Sequence, residues 1–258
     1  MFLTKRQKIS ITTVLLTASL LAFQMVDASL KNYFLGAVVA ASYLLSVWSI
    51  YQDLRGFEFV TLFVLPVLLT LSFGVFILRF NPISEVRVIL AVVYGLVIYT
   101  NLLAENIFNV SAERNIPLLR AARTVGYLVT LFVTFAFFSL VYSLGIAWWQ
   151  LGLVGFAAGG LIFSQAFWQI ELEETPSEDL VAYSLVAGLL MAELASSLAF
   201  WPLDPPKVGL ALAAFVYVVL GILQHLIQRD LTRRAAAEYV FVAFSVFVLL
   251  ILTTSWGI

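Results

Sequence analysis

The sequence contains no cysteine and a single histidine among its 258 residues. A disulfide framework and a thiolate metal site are therefore excluded, and one histidine cannot form an imidazole cluster. Charge is also scarce, because only 11% of the residues are Asp, Glu, Lys or Arg, whereas a soluble domain carries about 25%. The net charge of −1 provides no excess of positive charge for a nucleic acid. We therefore expect no cofactor, no metal site and no nucleic-acid partner.

Apolar residues dominate instead, at 62% of the chain and a mean hydropathy of +1.03. They form runs along the whole sequence, and many runs approach the roughly 20 residues that cross a hydrocarbon core about 30 Å thick. No stretch between the runs is long enough for a soluble domain. The sequence therefore predicts an all-α, polytopic transmembrane helix bundle, with residues 1–258 as a single integral membrane domain in the lipid bilayer.

The apolar runs divide the chain into nine predicted membrane spans. Several of their starts place a capping side chain directly before a proline, which suits the first turn of a helix. The spans are expected near residues 9–26, 33–51, 58–79, 86–108, 122–143, 149–169, 180–200, 207–227 and 238–256.

The basic residues set the expected orientation, because short cytoplasmic loops are enriched in Lys and Arg. With the N-terminus inside and the C-terminus outside, ten of the 14 basic residues fall on the cytoplasmic side and four outside. Two arginine-rich inner connectors provide most of this bias. We interpret their side chains as topology anchors and contacts to anionic lipid headgroups. They are Arg114, Arg120, Arg123, Arg229, Arg233 and Arg234.

The first span has an alternative interpretation as a signal peptide. A basic segment, Lys5 to Lys8, precedes an apolar run, and Val26-Asp27-Ala28 resembles a small-residue cleavage site. Cleavage would leave eight spans with the same topology. The apolar run is long for a signal peptide, and a retained first span is the favoured interpretation.

The chain also matches itself weakly when it is shifted by 123 residues, and its next helices match at an offset of 112. One interpretation is a parallel duplication of four spans each, in repeat units 33–143 and 149–256. The other is a pair of similar helical hairpins that obey the same topology rules. The matches include Pro82 with Pro205, Tyr94 with Tyr217, Asn101 with Gln224 and Tyr127 with Tyr239.

A polar stripe occupies the inner half of the fourth span. Asn101, Glu105 and Asn109 are spaced four residues apart and therefore share one helix face. The shifted positions in the eighth span, Gln224 and Gln228, are also polar, with His225 beside them. The two stripes either face each other and line a cavity open to the cytoplasm, or are helix ends that enter the headgroup zone.

Glu193 lies about two-thirds along the seventh span, where a charge costs about 2.5–3.5 kcal/mol. Ser196 and Ser197 supply hydroxyls one turn further on. Small residues at every fourth position predict close packing of this span against the sixth, which contains Gly155 and Gly159. We expect Glu193 to face the bundle interior as a neutral carboxyl. It then serves either as an interhelical hydrogen bond alone or as part of a proton or substrate site.

The segment ENIFNVSAERNIPLLRAARTVGYLVTLF, residues 105–132, resembles multi-pass membrane proteins of small-genome candidate-phylum bacteria. The resemblance covers the fourth and fifth spans. It implies no activity and no catalytic residues, and it favours a prokaryotic cytoplasmic membrane.

Two classes of function remain open after these observations. The first is a small transporter whose path includes Glu193, Ser196, Ser197 and the two polar stripes. The second is a non-catalytic membrane component that packs against a partner membrane protein, lipids or a second copy of itself. The sequence contains no recognisable catalytic motif, such as HExxH, GxSxG or a Walker loop. An enzyme is therefore the least favoured class.

Overall fold

A computed structural model of the chain describes residues 3–54, 56–80, 82–113, 118–172, 177–228 and 231–255. These residues form ten α-helices joined by short connections, and they contain no β-strand. The predicted all-α fold is therefore confirmed. The helices are α1 (Lys5–Ala22), α2 (Lys31–Ile50), α3 (Glu58–Thr61), α4 (Val64–Phe80), α5 (Ser84–Glu113), α6 (Leu119–Ser143), α7 (Trp148–Glu171), α8 (Glu178–Leu198), α9 (Pro205–Gln228) and α10 (Arg233–Thr253).

Eight of the described segments are long and apolar enough to cross a membrane, with α3 and α4 counted together as Glu58–Phe80. The first helix is not among them, because its 18 residues include Lys5, Arg6 and Lys8. Its Leu16 and Leu20 are nonetheless fully buried, and α1 packs against α2 and α5. The predicted count of nine spans therefore exceeds by one the segments that meet these criteria.

The chain forms two compact units, and the boundary between them lies within α6. Unit 1 comprises Met1–Val129 with Leu172–Thr175, and unit 2 comprises Thr130–Glu171 with Pro176–Ile258. These bounds differ from the repeat units proposed from the sequence. The matched tyrosines also make different contacts, because Tyr94 meets Thr70 in the preceding helix and Tyr217 meets Tyr239 in the following one. The duplication stays a prediction.

Within unit 2, α7 and α8 pack with their backbones in close contact. A Cβ atom on Gly188 would stand 3.0 Å from the Cα and N atoms of Gly160, and one on Gly155 would stand 3.0 Å from the Cα of Ala192. Only small residues permit this approach. The tight packing predicted for these two spans is therefore confirmed.

The last helix, α10, packs against α9 and leaves most of its surface exposed, with Leu250 as its one buried residue. Two hydrogen bonds tie its end to the loop after α8 and to the first turn of α9. The indole of Trp201 donates to the Thr254 hydroxyl at 2.9 Å, and the Lys207 ammonium donates to the Thr253 carbonyl at 2.6 Å. This end of unit 2 is therefore held by polar contacts rather than by a large apolar interface.

Candidate functional site

The most concentrated group of buried polar residues lies in unit 1, on one face of α5. The face presents Tyr94, Ile98, Asn101, Glu105 and Asn109, at intervals of three or four residues that place them in one line. All five are fully buried. Buried polar groups inside a membrane-spanning bundle are costly, and such residues commonly mark ion or substrate pathways.

Hydrogen bonds join both ends of this stripe to the α3–α4 segment. At one end, the Asn109 side-chain amide donates to Glu58 Oε2 at 2.7 Å. At the other end, the hydroxyls of Tyr94 and Thr70 lie 2.8 Å apart. The stripe therefore faces the α3–α4 segment along its length.

The α3–α4 segment is a broken helix. Helix α3 ends at Thr61 and α4 begins at Val64, and the amide of Phe63 reaches the Val60 carbonyl at 3.4 Å instead of making a regular α-helical bond. Pro66 cannot donate a hydrogen bond to the Leu62 carbonyl, because proline has no N–H. The break itself is completely buried.

With the C-terminal end of α4 at one membrane boundary, the length of this helix places the break close to the other boundary. Its 17 residues span about 26 Å at 1.5 Å per residue, which is less than a hydrocarbon core of about 30 Å. The irregularity is local, because Leu62 keeps helical dihedral angles (φ −65°, ψ −18°) and its amide still donates to the Glu58 carbonyl at 3.2 Å.

Asn101 occupies the middle of the stripe. It is slightly more than halfway from Asn109 to Tyr94 along α5, so the two hydrogen bonds at the stripe ends place it level with the break and the first turn of α4. Both polar atoms of its amide are buried, and neither has a hydrogen-bond partner among the described residues. An unsatisfied buried amide costs about 1–3 kcal/mol. Asn101 therefore carries unused hydrogen-bonding capacity in the middle of the buried stripe.

We call Glu58, Asn101, Glu105, Asn109 and the Leu62–Phe63 break the broken-helix site. It combines two carboxyl groups with two side-chain amides beside an interrupted backbone, and oxygen acceptors outnumber donors. Such a set is suited to a proton or a small, hard cation. The described residues contain no group of three or more His, Cys, Asp or Glu side chains arranged to hold a metal ion.

Glu193 does not occupy the place predicted for it. It is exposed on α8, five residues before the helix ends at Leu198. Ser197 is exposed as well, and Ser196 is half-buried. The seam with α7 uses the opposite face of α8, so the prediction that Glu193 faces the bundle interior is wrong. Close packing of small residues indicated which helices meet, but it did not fix the direction of a residue one position off the seam.

The second predicted polar stripe lies in unit 2. Gln224 and His225 are half-buried on α9, and the His225 ring stands 6.0 Å from the ring of Tyr239. The side chain of Gln228 lies outside the described residues. That the two stripes face each other stays a prediction.

The predicted arginine anchors are surface residues where the structure describes them. Arg120, Arg233 and Arg234 are exposed and Arg123 is half-buried, while Arg114 and Arg229 lie outside the described residues. Arg234 also forms an ion pair with Glu238 at 3.4 Å. Exposed positions near helix ends are compatible with the predicted headgroup contacts.

Glu58 was missed by the sequence interpretation, which treated it as the first residue of a span. Its neighbours carried a signal, because Glu58 lies between Phe57 and Phe59. An acid that such apolar residues shield from water needs a polar partner in the fold. The partner, Asn109, is 51 positions away in sequence. Only the fold brings them together.

Comparison with known proteins gives a family and no activity. Neither a curated protein nor a solved structure matches the chain. The sequence profile of one family, described as Protein of unknown function (DUF5656), matches residues 33–253, and the chain therefore belongs to that family.

Proposed function

We propose that the protein is a small membrane carrier that moves a proton or a small cation, with the broken-helix site as its binding element. One observation carries the proposal. An interrupted membrane helix lies against a fully buried stripe that contains Glu105 and Asn101, whose amide has no hydrogen-bond partner within the described part of the chain. Interrupted helices beside buried polar side chains supply both backbone carbonyls and ionisable groups to a translocated ion.

The proposal moves the path from Glu193 to Glu105 and Glu58. These two carboxyl groups are 0% and 2% exposed, so a proton or cation that reaches them has left bulk water. Buried carboxyl groups in membrane-spanning helices serve as proton relays in pumps and transporters, because they can gain and lose a proton away from bulk water. The Arg-rich connectors favour an N-terminus inside, which directs the Glu58–Asn109 end toward the cytoplasm. We place the protein in a prokaryotic cytoplasmic membrane.

The test is ion flux in proteoliposomes. Purified protein is reconstituted with an internal pH-sensitive dye, and a gradient of pH, Na⁺ or K⁺ is imposed across the vesicle membrane. The wild-type protein should dissipate at least one gradient faster than empty liposomes do. Glu105→Gln keeps the shape of the side chain and removes its titration, and it should abolish that flux.

Glu193→Gln is the matched control, because it makes the same chemical change at an exposed position on α8. It should conduct like the wild type. Loss of flux in Glu193→Gln with normal flux in Glu105→Gln would transfer the path back to Glu193, and equal loss in both would contradict the assignment to Glu105. A wild-type protein with the flux of empty liposomes under all three gradients would contradict the carrier.

The exposed position of Glu193 favours a second candidate, a membrane component that binds another membrane protein or a second copy of itself through α8. A carboxyl on an exposed membrane-helix surface gains from a polar partner. Crosslinking through a cysteine introduced at Leu189, which is also exposed on α8, would detect such a partner in membranes. Glu193→Leu should then abolish the crosslink.

A further inference from the structure

The polar stripe on α5 contains one apolar residue, Ile98. It lies three residues from Asn101 and four from Tyr94, and it is 0% exposed. On one side of it lies the broken-helix site, and on the other side lies the buried hydroxyl pair of Tyr94 and Thr70. We propose that Ile98 is the hydrophobic barrier that closes the broken-helix site toward that hydroxyl pair.

The hydroxyl pair is a polar group of defined direction. Thr70 donates its single hydroxyl proton to the Pro66 carbonyl at 2.7 Å. Tyr94 must therefore be the donor in its contact with Thr70, because each hydroxyl has only one proton. The Tyr94 oxygen keeps acceptor capacity, so it can receive a hydrogen bond from water or from a proton donor that arrives from the stripe.

The hydroxyl pair and Asn101 are close enough along α5 that a single side chain between them can act as a barrier. Tyr94 and Asn101 are seven residues apart, which corresponds to roughly 10 Å along the helix. A branched apolar side chain in the middle of such a gap excludes water from it, and hydrophobic constrictions close membrane pores in this way. The barrier rests on the proposed carrier function, because it has a role only if an ion reaches the site.

The experiment replaces Ile98 with serine or threonine and measures passive proton leak in proteoliposomes under an imposed pH gradient, with no gradient of Na⁺ or K⁺. A hydroxyl at this position lets water bridge the gap. The leak should rise by about tenfold or more over wild type, equivalent to a barrier lower by about 1.4 kcal/mol. Ile98→Thr keeps the branched shape and serves if Ile98→Ser does not fold.

Two controls separate a lost barrier from a damaged protein. Ile98→Val keeps the gap apolar and should leave the leak at the wild-type level. Ile162→Ser makes the same exchange at a residue on α7 that is also 0% exposed, and it should not raise the leak.

The outcomes distinguish the barrier from the carrier. If wild type conducts under a driving gradient and the two polar Ile98 variants leak no more than wild type, the barrier assignment is overturned and the carrier stands. If wild type shows no driven flux under any gradient, the carrier is overturned, and the barrier is overturned with it even where the polar variants leak. Absence of both effects overturns both, and equal leaks in the Ile98→Ser and Ile162→Ser variants overturn the barrier.

Discussion

Replacement by leucine should lower the free energy of unfolding at Asn109 but not at Asn101, although both asparagines lie on the same face of α5. Both Asn101 and Asn109 are fully buried, and leucine has nearly the same branched shape as asparagine. Asn109 donates to a Glu58 carboxyl oxygen at 2.7 Å, whereas the Asn101 amide has no hydrogen-bond partner among the described residues. The contrast isolates the hydrogen bond from burial and from position on the helix.

The expected magnitudes follow from what each side chain loses. Asn109→Leu removes a hydrogen bond to a buried carboxyl and should lower the free energy of unfolding by about 1–3 kcal/mol. Asn101→Leu removes no protein hydrogen bond and ends the burial of an unsatisfied amide. It should leave the free energy of unfolding unchanged or raise it by up to about 2 kcal/mol. Asn101→Leu should also abolish ion flux, because it removes the amide from the broken-helix site.

The measurement is denaturant titration of both variants in lipid bicelles, with secondary structure as the signal and flux assayed in parallel. If Asn101→Leu costs as much stability as Asn109→Leu, then the Asn101 amide is satisfied in the folded protein and the site has lost its defining feature. If Asn101→Leu is stable and still conducts, the carrier path does not use Asn101.

Two further predictions concern packing and topology. Gly188→Ala should lower the free energy of unfolding by about 1–3 kcal/mol, because its Cβ would meet the Gly160 backbone. Gly160→Ala should be neutral or stabilising, because its Cβ would meet nothing within 4 Å. Equal losses of stability in thermal unfolding would contradict the close packing of α7 and α8. Reporter fusions after Ile258 and within residues 171–179 should report opposite sides of the membrane, and a result on the same side would refute the predicted topology.

The spans could be predicted from the sequence because a membrane helix is defined by length and apolar composition alone. The predicted span 33–51 corresponds to α2, Lys31–Ile50, and the predicted span 149–169 corresponds to α7, Trp148–Glu171. The break within Glu58–Phe80 was not predicted. Pro66 lies three residues inside α4, and a proline near a helix start is compatible with an unbroken helix as well.

The site could be predicted only in part, for a related reason. A spacing of four residues showed that Asn101, Glu105 and Asn109 share one helix face, because helical periodicity is a local property of the sequence. Burial depends on which helix arrives opposite a residue. Glu58 is buried by a partner from a distant segment, and Glu193 is exposed because α8 uses its other face.

The sparse protein contact of α10 makes lipid an unusually large part of that helix's environment. Only 6% of the most apolar part of α10 is buried inside the protein, so neighbouring helices contribute little of the packing that would otherwise fix its tilt. Helices in this situation tilt to match the local hydrocarbon thickness, and the hydrogen bonds of Trp201 and Lys207 restrain only one end. Acyl-chain length therefore becomes a variable of this protein's structure, and detergent micelles remove that variable, whereas bilayers preserve it.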